Sequence, residues 1–293
     1  MKKLLLLLIL FSLASCSIEF DSGQNGTTNN PNIVNPDKTE NDGAIVTTTY
    51  GDFKISSVVK DGFSKADDII TFSKAGEYTI SGTLNGSLVF LANIDDSVTL
   101  YLNNAKINSE DYHAIFWMKD MGKIEIKAME NTENEITVNA KGANLYSGIE
   151  SENNIEIGGS GKLTIKANQR HAVKGSNITI KGNVDLNIEA VKDGLHGKHV
   201  VISGGNTKIT NCTDAIQAET NSNNLKGTIL VEEGILTISN CKRAFRATTS
   251  LTIEQLAGVT ITINVNNTQI VKETLTYNYV SGTFLVDGIN YNG

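Results

Sequence analysis

The chain has 293 residues, 40% of them apolar, and a formal net charge of −7. That is enough apolar material for a buried core, which excludes a chain disordered throughout, and an acidic balance without a clustered basic patch speaks against a nucleic-acid partner. Only 2 prolines, with frequent Gly, Ile, Val, Thr and Asn, favour strands and turns over helices.

The first element is "MKKLLLLLILFSLASC", residues 1–16. Lys2 and Lys3 precede a Leu-rich run too short to span a bilayer, and small residues precede Cys16, the order of a secretory signal. The run Leu13-Ala14-Ser15-Cys16 resembles a bacterial lipobox. That resemblance implies lipidation of Cys16 and a membrane partner reached through the N-terminal lipid, which would place the protein in the bacterial cell envelope outside the cytoplasm. An ordinary secretory cleavage site is the alternative. Residues 17–43 are rich in Asn, Thr, Asp and Gly and cannot offset their own ordering entropy, so a flexible tether is expected there.

Residues 44–293 are expected to fold as one domain with terminal caps. Runs such as "NIEIGGSGKLTIKA", "NITIKGNVDLNIEA" and "HVVISGGNTKITN" are apolar at every second residue, the period of a half-buried strand, and are bounded by glycine turns. Six segments superpose on their small-plus-apolar pairs: "HAIFWM", "SGIESE", "HAVKGS", "DGLHGK", "DAIQAE" and "RAFRAT". Their small residues Ala114, Gly148, Ala172, Gly194, Ala215 and Ala244 lie 34, 24, 22, 21 and 29 residues apart. A repeat of about 22 residues predicts an all-β fold, a right-handed single-stranded parallel β-helix; a two-sheet sandwich is the structural alternative. The longer intervals place inserted loops in "AMENTENEITVNAKGANLY" and "TNSNNLKG".

Stacking sends Ile115, Ile149, Val173, Leu195, Ile216 and Phe245 inward as one ladder, with Ile157, Ile180 and Ile202 in another. Their neighbours Phe116, Glu150, Lys174, His196, Lys198, Gln217, Glu219 and Arg246 then face outward. The segments "NCTDAIQAET" and "NCKRAFRATT" become equivalent bends of adjacent coils, which sets Cys212 over Cys241; a disulfide and a pair of stacked thiols both remain open.

At "DGLHGKHVVISGGNTKITNCTDAIQAE" the sequence resembles a family of secreted right-handed parallel β-helix carbohydrate-binding proteins, and "AGEYTISGTLNGSLVFLANIDDSVTLYLNNAKI" with "AIFWMKDMGKIEI" resembles that family's first coils. The resemblance covers residues 45–265. It implies a pectate-lyase-like fold that binds acidic plant-type polysaccharide and cellulose, with calcium held at the coil surface. Where the family often repeats Asp before the small residue, this chain has His113, Ser147, His171, Asp193, Asp214 and Arg243. Calcium between Asp193 and Asp214, with Glu219 or Glu150 completing an oxygen shell, is one expectation; the other is a compensated column in which His171 serves Asp193 and Arg243 serves Asp214.

For sugar, Lys174, His196 and Lys198 are the candidate cationic cluster against a uronate, Glu150 and Gln217 the candidate partners for hydroxyls, and Phe116 the exposed aromatic, with Trp117 turned inward. The expected function is a non-catalytic, surface-anchored monomer whose partner is an acidic or cellulosic polysaccharide. A uronate lyase is the first alternative, with Lys174, Lys198, Arg243 and Arg246 as available cations. A structural surface protein or adhesin is the second. Glu150 and Glu152 carry no further sign of a hydrolase site, and the four histidines are read as isolated.

Overall fold

The computed structural model describes residues 43–91, 97–118, 122–142, 145–219, 227–270 and 276–291. The signal, the tether up to residue 42 and Cys16 lie outside the described residues. Among those described there is no helix, and parallel strands stack as a β-solenoid of about seven turns with coils of about 26 residues. The expected repeat of about 22 residues reflects the three tightest coils; other coils carry longer corners between the same strands.

Each coil contributes three strand segments. A nine-stranded sheet forms the first face, and a larger sheet folds over a corner to form the second and third. On the first face the inward ladder runs Ile70, Leu88, Ile115, Ile149, Val173, Leu195, Ile216 and Phe245, paired coil to coil and fully buried. Ile157, Ile180 and Ile202 stack likewise on the second face. Strict alternation of buried and part-exposed residues is what makes each of these strands half-buried.

Corners are built from residues that tolerate the left-handed region. Between the second and third faces Gly159, Gly204 and Gly234 have φ of 98°, 152° and 98°. An added Cβ at Gly234 would stand 2.5 Å from the Gly205 carbonyl oxygen of the coil below, so the corner needs glycine on steric grounds as well. After the third face the turn falls to asparagine: Asn211, Asn240 and Asn267 have φ of 58°, 56° and 47°. Asn267 Nδ2 donates to Asn240 Oδ1 at 2.9 Å, tying consecutive corners. Cys212 and Cys241 follow two of these asparagines and are joined in a disulfide, their Cα atoms 4.5 Å apart.

One inserted loop is corrected. Within "AMENTENEITVNAKGANLY" the segment Glu133–Val138 is a third-face strand, paired in parallel with its neighbours on both sides; its alternation is masked by polar residues on the outer side. The extra length falls in the corner that follows. Residues 220–226, most of the other expected loop, lie outside the described residues.

The open ends of the solenoid are closed by antiparallel pairing. Val46–Tyr50 pairs with Phe53–Ser57, which pairs antiparallel with Gly76–Asn85; Thr283–Val286 turns back onto Ile289–Asn290. Such caps protect edges that would otherwise template further strands. Phe72, Phe90 and Trp117 stack inside the N-terminal coils with centroid spacings of 4.4 Å.

Candidate functional site

The outward residues of the first face form one column. Val89, Phe116, Glu150, Lys174, His196, Gln217 and Arg246 pair in register from coil to coil. Five expected ligand residues, Phe116, Glu150, Lys174, His196 and Gln217, therefore stand in a single line. Lys198 lies outside it, past the end of the strand Asp193–Gly197, and has no ion-pair partner among the described residues.

One end of the column is aromatic. Tyr112 lies edge-on to Phe116 at 5.4 Å and near Tyr146 at 5.6 Å, while His113 stacks on Phe116 at 5.3 Å. Alternation places Phe116 here, but Tyr112 and Tyr146 come from corners, where no period applies. All three rings are partly exposed. Their faces and edges offer the apolar, polarised surface that the C–H faces of a sugar ring require.

The middle is a set of ion pairs with a vertical order. Lys174 Nζ donates to Glu150 Oε1 at 2.7 Å, and Arg170 stands 3.5 Å from Glu150 Oε2, which also accepts from Ser147 Oγ at 2.8 Å. Two coils further, the guanidinium of Arg243 forks onto Asp214, its Nη2 at 2.7 Å from Oδ2, with Arg246 at 4.0 Å. The acids are sunk: the side chains of Glu150, Asp193 and Asp214 are 13%, 1% and 1% exposed. Their cations ride above, with Arg170, Lys174 and Arg246 at 27%, 31% and 35%. At Glu150 and Asp214 the N–H groups thus lie nearer the surface than the carboxylates, whereas the Glu219 carboxylate beside His196 is 44% exposed and breaks that order. Burial opposes ionisation of Glu150, but Lys174 and Ser147 outweigh it and hold its carboxyl below the ordinary range. Burial also pushes the His113 imidazole down to about 4, so this ring is neutral.

Asp193 and Asp214 do stand side by side in register. Asp193 Oδ2 lies 2.9 Å from His196 Nδ1 and 3.0 Å from His171 Nδ1. The histidines are therefore not isolated: the His171 and His196 ring centroids are 4.2 Å apart. The pairing of residues 173 and 195 was legible in the repeat and already set His171 against Asp193; the reach of His196 back over three residues was not. Glu219 turns away from both aspartates, with Oε1 3.3 Å from His196 Nε2 and Oε2 accepting from Gln217 Nε2 at 2.9 Å. Calcium wants six to eight oxygens. Here one aspartate is taken by a guanidinium fork and the other faces two imidazole nitrogens, so Asp193, Asp214 and Glu219 do not fit that ion.

Arg170 and Ser147 are site residues that sequence reasoning passed over. Arg170 lies in a corner and reaches Glu150 across the coil spacing, whereas Ser147 reaches it within one coil, three residues away.

The comparisons agree with this architecture. A family model described as "Carbohydrate-binding domain-containing protein" matches residues 66–286. Among solved structures, the polysaccharide lyase-like protein from C. thermocellum, as a gadolinium derivative, superposes with a TM-score of 0.67 at 24% identity, covering 78% of this chain and 93% of that one. No curated protein matches.

Proposed function

Since the chain belongs to the family of carbohydrate-binding domain-containing proteins, we propose that its first face binds an acidic polysaccharide along the column from Phe116 to Arg246. The observation that carries the reading is the vertical order of charge: exposed Arg170, Lys174 and Arg246 over buried Glu150 and Asp214, beside the Tyr112–Phe116–Tyr146 cluster. A uronate carboxylate meets donors at Lys174, Arg170 and Arg246, whose own acids Glu150 and Asp214 lie deeper, and sugar rings find an aromatic surface at one end; the exposed Glu219 between them favours uronates spaced to either side of it. Between the cations lie His196, whose ring nitrogens face Asp193 and Glu219, and Gln217, which is buried with its amide donating to Glu219, so the Glu219 carboxylate is the group there that can accept from hydroxyls.

The binding is non-catalytic. A lyase on this face would need a cation able to take a proton from the uronate; Lys174 and Arg243 are committed to Glu150 and Asp214, Arg246 stands 4.0 Å from Asp214, and Lys198 lies outside the column. Attachment to the cell envelope through lipidated Cys16 is part of the same proposal. It is supported by the lipobox-like Leu13–Cys16 run, and the Cys212–Cys241 disulfide suits an oxidising compartment.

Binding is tested by retention on immobilised polygalacturonate, with a neutral glucan as comparison and product absorbance monitored. Retention that weakens about tenfold in Lys174→Gln, as expected for one charge-assisted contact, with no unsaturated product, supports the reading; retention equal on both polymers and unchanged in that variant contradicts it. Anchoring is tested separately: Cys16→Ser moves the protein from the membrane fraction to the soluble one.

A further inference from the structure

Beneath the outer column, His171 Nδ1, Asp193 Oδ2 and His196 Nδ1 all lie within 4.8 Å of one another. They come from two coils. His171 stands one coil from Asp193, and His196 returns to the same carboxylate from three residues on. His171 and Asp193 are each 1% exposed, and His196 lies above them on the outer face. We propose that these three atoms form a site for a divalent transition-metal ion of the zinc class.

Three observations support the assignment. The donor set is two imidazole nitrogens and one carboxylate oxygen, which suits zinc and its neighbours and not calcium. His171 Nδ1 is fully buried and makes no hydrogen bond of proper geometry, although Asp193 Oδ2 is 3.0 Å away. A buried ring nitrogen beside two further donors and left without a hydrogen bond is one that an ion between them would satisfy. Ligands 2.0–2.1 Å from a tetrahedral zinc are about 3.3 Å apart, so the observed 2.9 and 3.0 Å contacts reach that spacing if the Asp193 carboxylate and the His196 ring each shift by a few tenths of an ångström.

The third observation lies one bond further out. A metal-binding histidine commonly donates its other ring N–H to a carboxylate, which fixes the tautomer that leaves the ligating nitrogen bare. His196 has that partner: Nε2 is 3.3 Å from Glu219 Oε1, and Glu219 is itself held by Gln217 Nε2 at 2.9 Å. The site does not depend on the glycan reading, because the ion can bind whether or not a sugar does.

The test uses untagged full-length protein stripped with chelator. Titration with Zn²⁺ by calorimetry, and with Co²⁺ by visible absorption, should give one saturable site, and Zn²⁺ should raise the melting temperature as a ligand of the folded state does. His196→Ala, a change on the outer face, should abolish this binding. Glu219→Gln, which leaves all three ligands in place, should weaken it roughly 10- to 100-fold; His199→Gln, on the neighbouring face, should leave it intact. Absence of saturable binding to a protein that melts cooperatively, or binding unchanged in both His196→Ala and Glu219→Gln, overturns the assignment.

Discussion

His113 shows how one buried side chain ties the site to pH. Its Nδ1 accepts from the Ser147 backbone N–H at 3.0 Å and lies 3.4 Å from Glu150 Oε2, with Arg170 and Lys174 close by. Burial holds its folded-state pKa near 4 against an ordinary 6.5, so between those values the unfolded chain binds the proton and the folded chain does not. Stability is therefore full above about 6.5 and is lost as pH falls towards 4. Melting temperature measured across that window should decline, and His113→Asn, which keeps an acceptor for Ser147 N–H, should flatten part of the decline. A profile identical to that of the unmodified protein would show that this ring does not titrate as described. At this scale much of the site was legible. Two-residue alternation cannot slip without turning a strand inside out, so Phe116, Glu150, Lys174, His196 and Gln217 could be assigned to one face from sequence. Their contacts were less so: Ser147 holds an aligned position of the repeat and Tyr112 and Tyr146 lie in segments near Phe116, but that they close on Glu150 and Phe116, with Arg170, depends on corners whose paths follow no period.

The element that repeats is a strand followed by a corner of fixed chemistry. Asn211 and Asn240 turn the chain through the left-handed region, and the cysteines after them lock adjacent coils with a 29-residue separation. Closing a loop of that length stabilises the folded state by about 3.6 kcal/mol on chain-entropy grounds. The double variant Cys212→Ser/Cys241→Ser should lose close to that amount in denaturant unfolding, with secondary structure retained; an unchanged midpoint would mean that the bond adds nothing to this corner. The inward ladder is a second element. Leu195 is completely buried between Val173 and Ile216, and Leu195→Ala should cost about 2–5 kcal/mol by leaving a cavity that rigid neighbouring coils cannot fill. Strands with a clean apolar alternation were found from sequence. Glu133–Val138 was taken for loop because its outward positions carry Glu133 and Glu135 and an asparagine, Asn134, occupies a buried position. That Asn134 is satisfied by the backbone: its Oδ1 accepts from the Ala105 N–H and its Nδ2 donates to the Lys162 carbonyl.

At the scale of the molecule, stacking is what converts a short repeat into a binding surface. Each coil adds one outward residue to the first face, so a ladder of buried Ile, Val and Leu carries a line of Phe116, Glu150, Lys174, His196, Gln217 and Arg246 on its far side. The repeat was legible because small residues recur beside the inward ladder: an added Cβ at Gly194 would stand 2.6 Å from the Ala215 carbonyl oxygen. Its mean length was not, because corners vary while strands do not. Charge is layered at Glu150 and Asp214, with their carboxylates below and Arg170, Lys174 and Arg246 above, while Glu219 stands exposed between them; the central claim is that these cations select anionic glycan. The most direct test is calorimetric affinity for polygalacturonate at two ionic strengths, in the unmodified protein and in the double variant Lys174→Gln/Arg246→Gln. Binding that weakens as salt rises, exceeds that for a neutral glucan, and loses most of its salt dependence in the double variant is the predicted result; affinity independent of salt and unaltered by the two substitutions would contradict it.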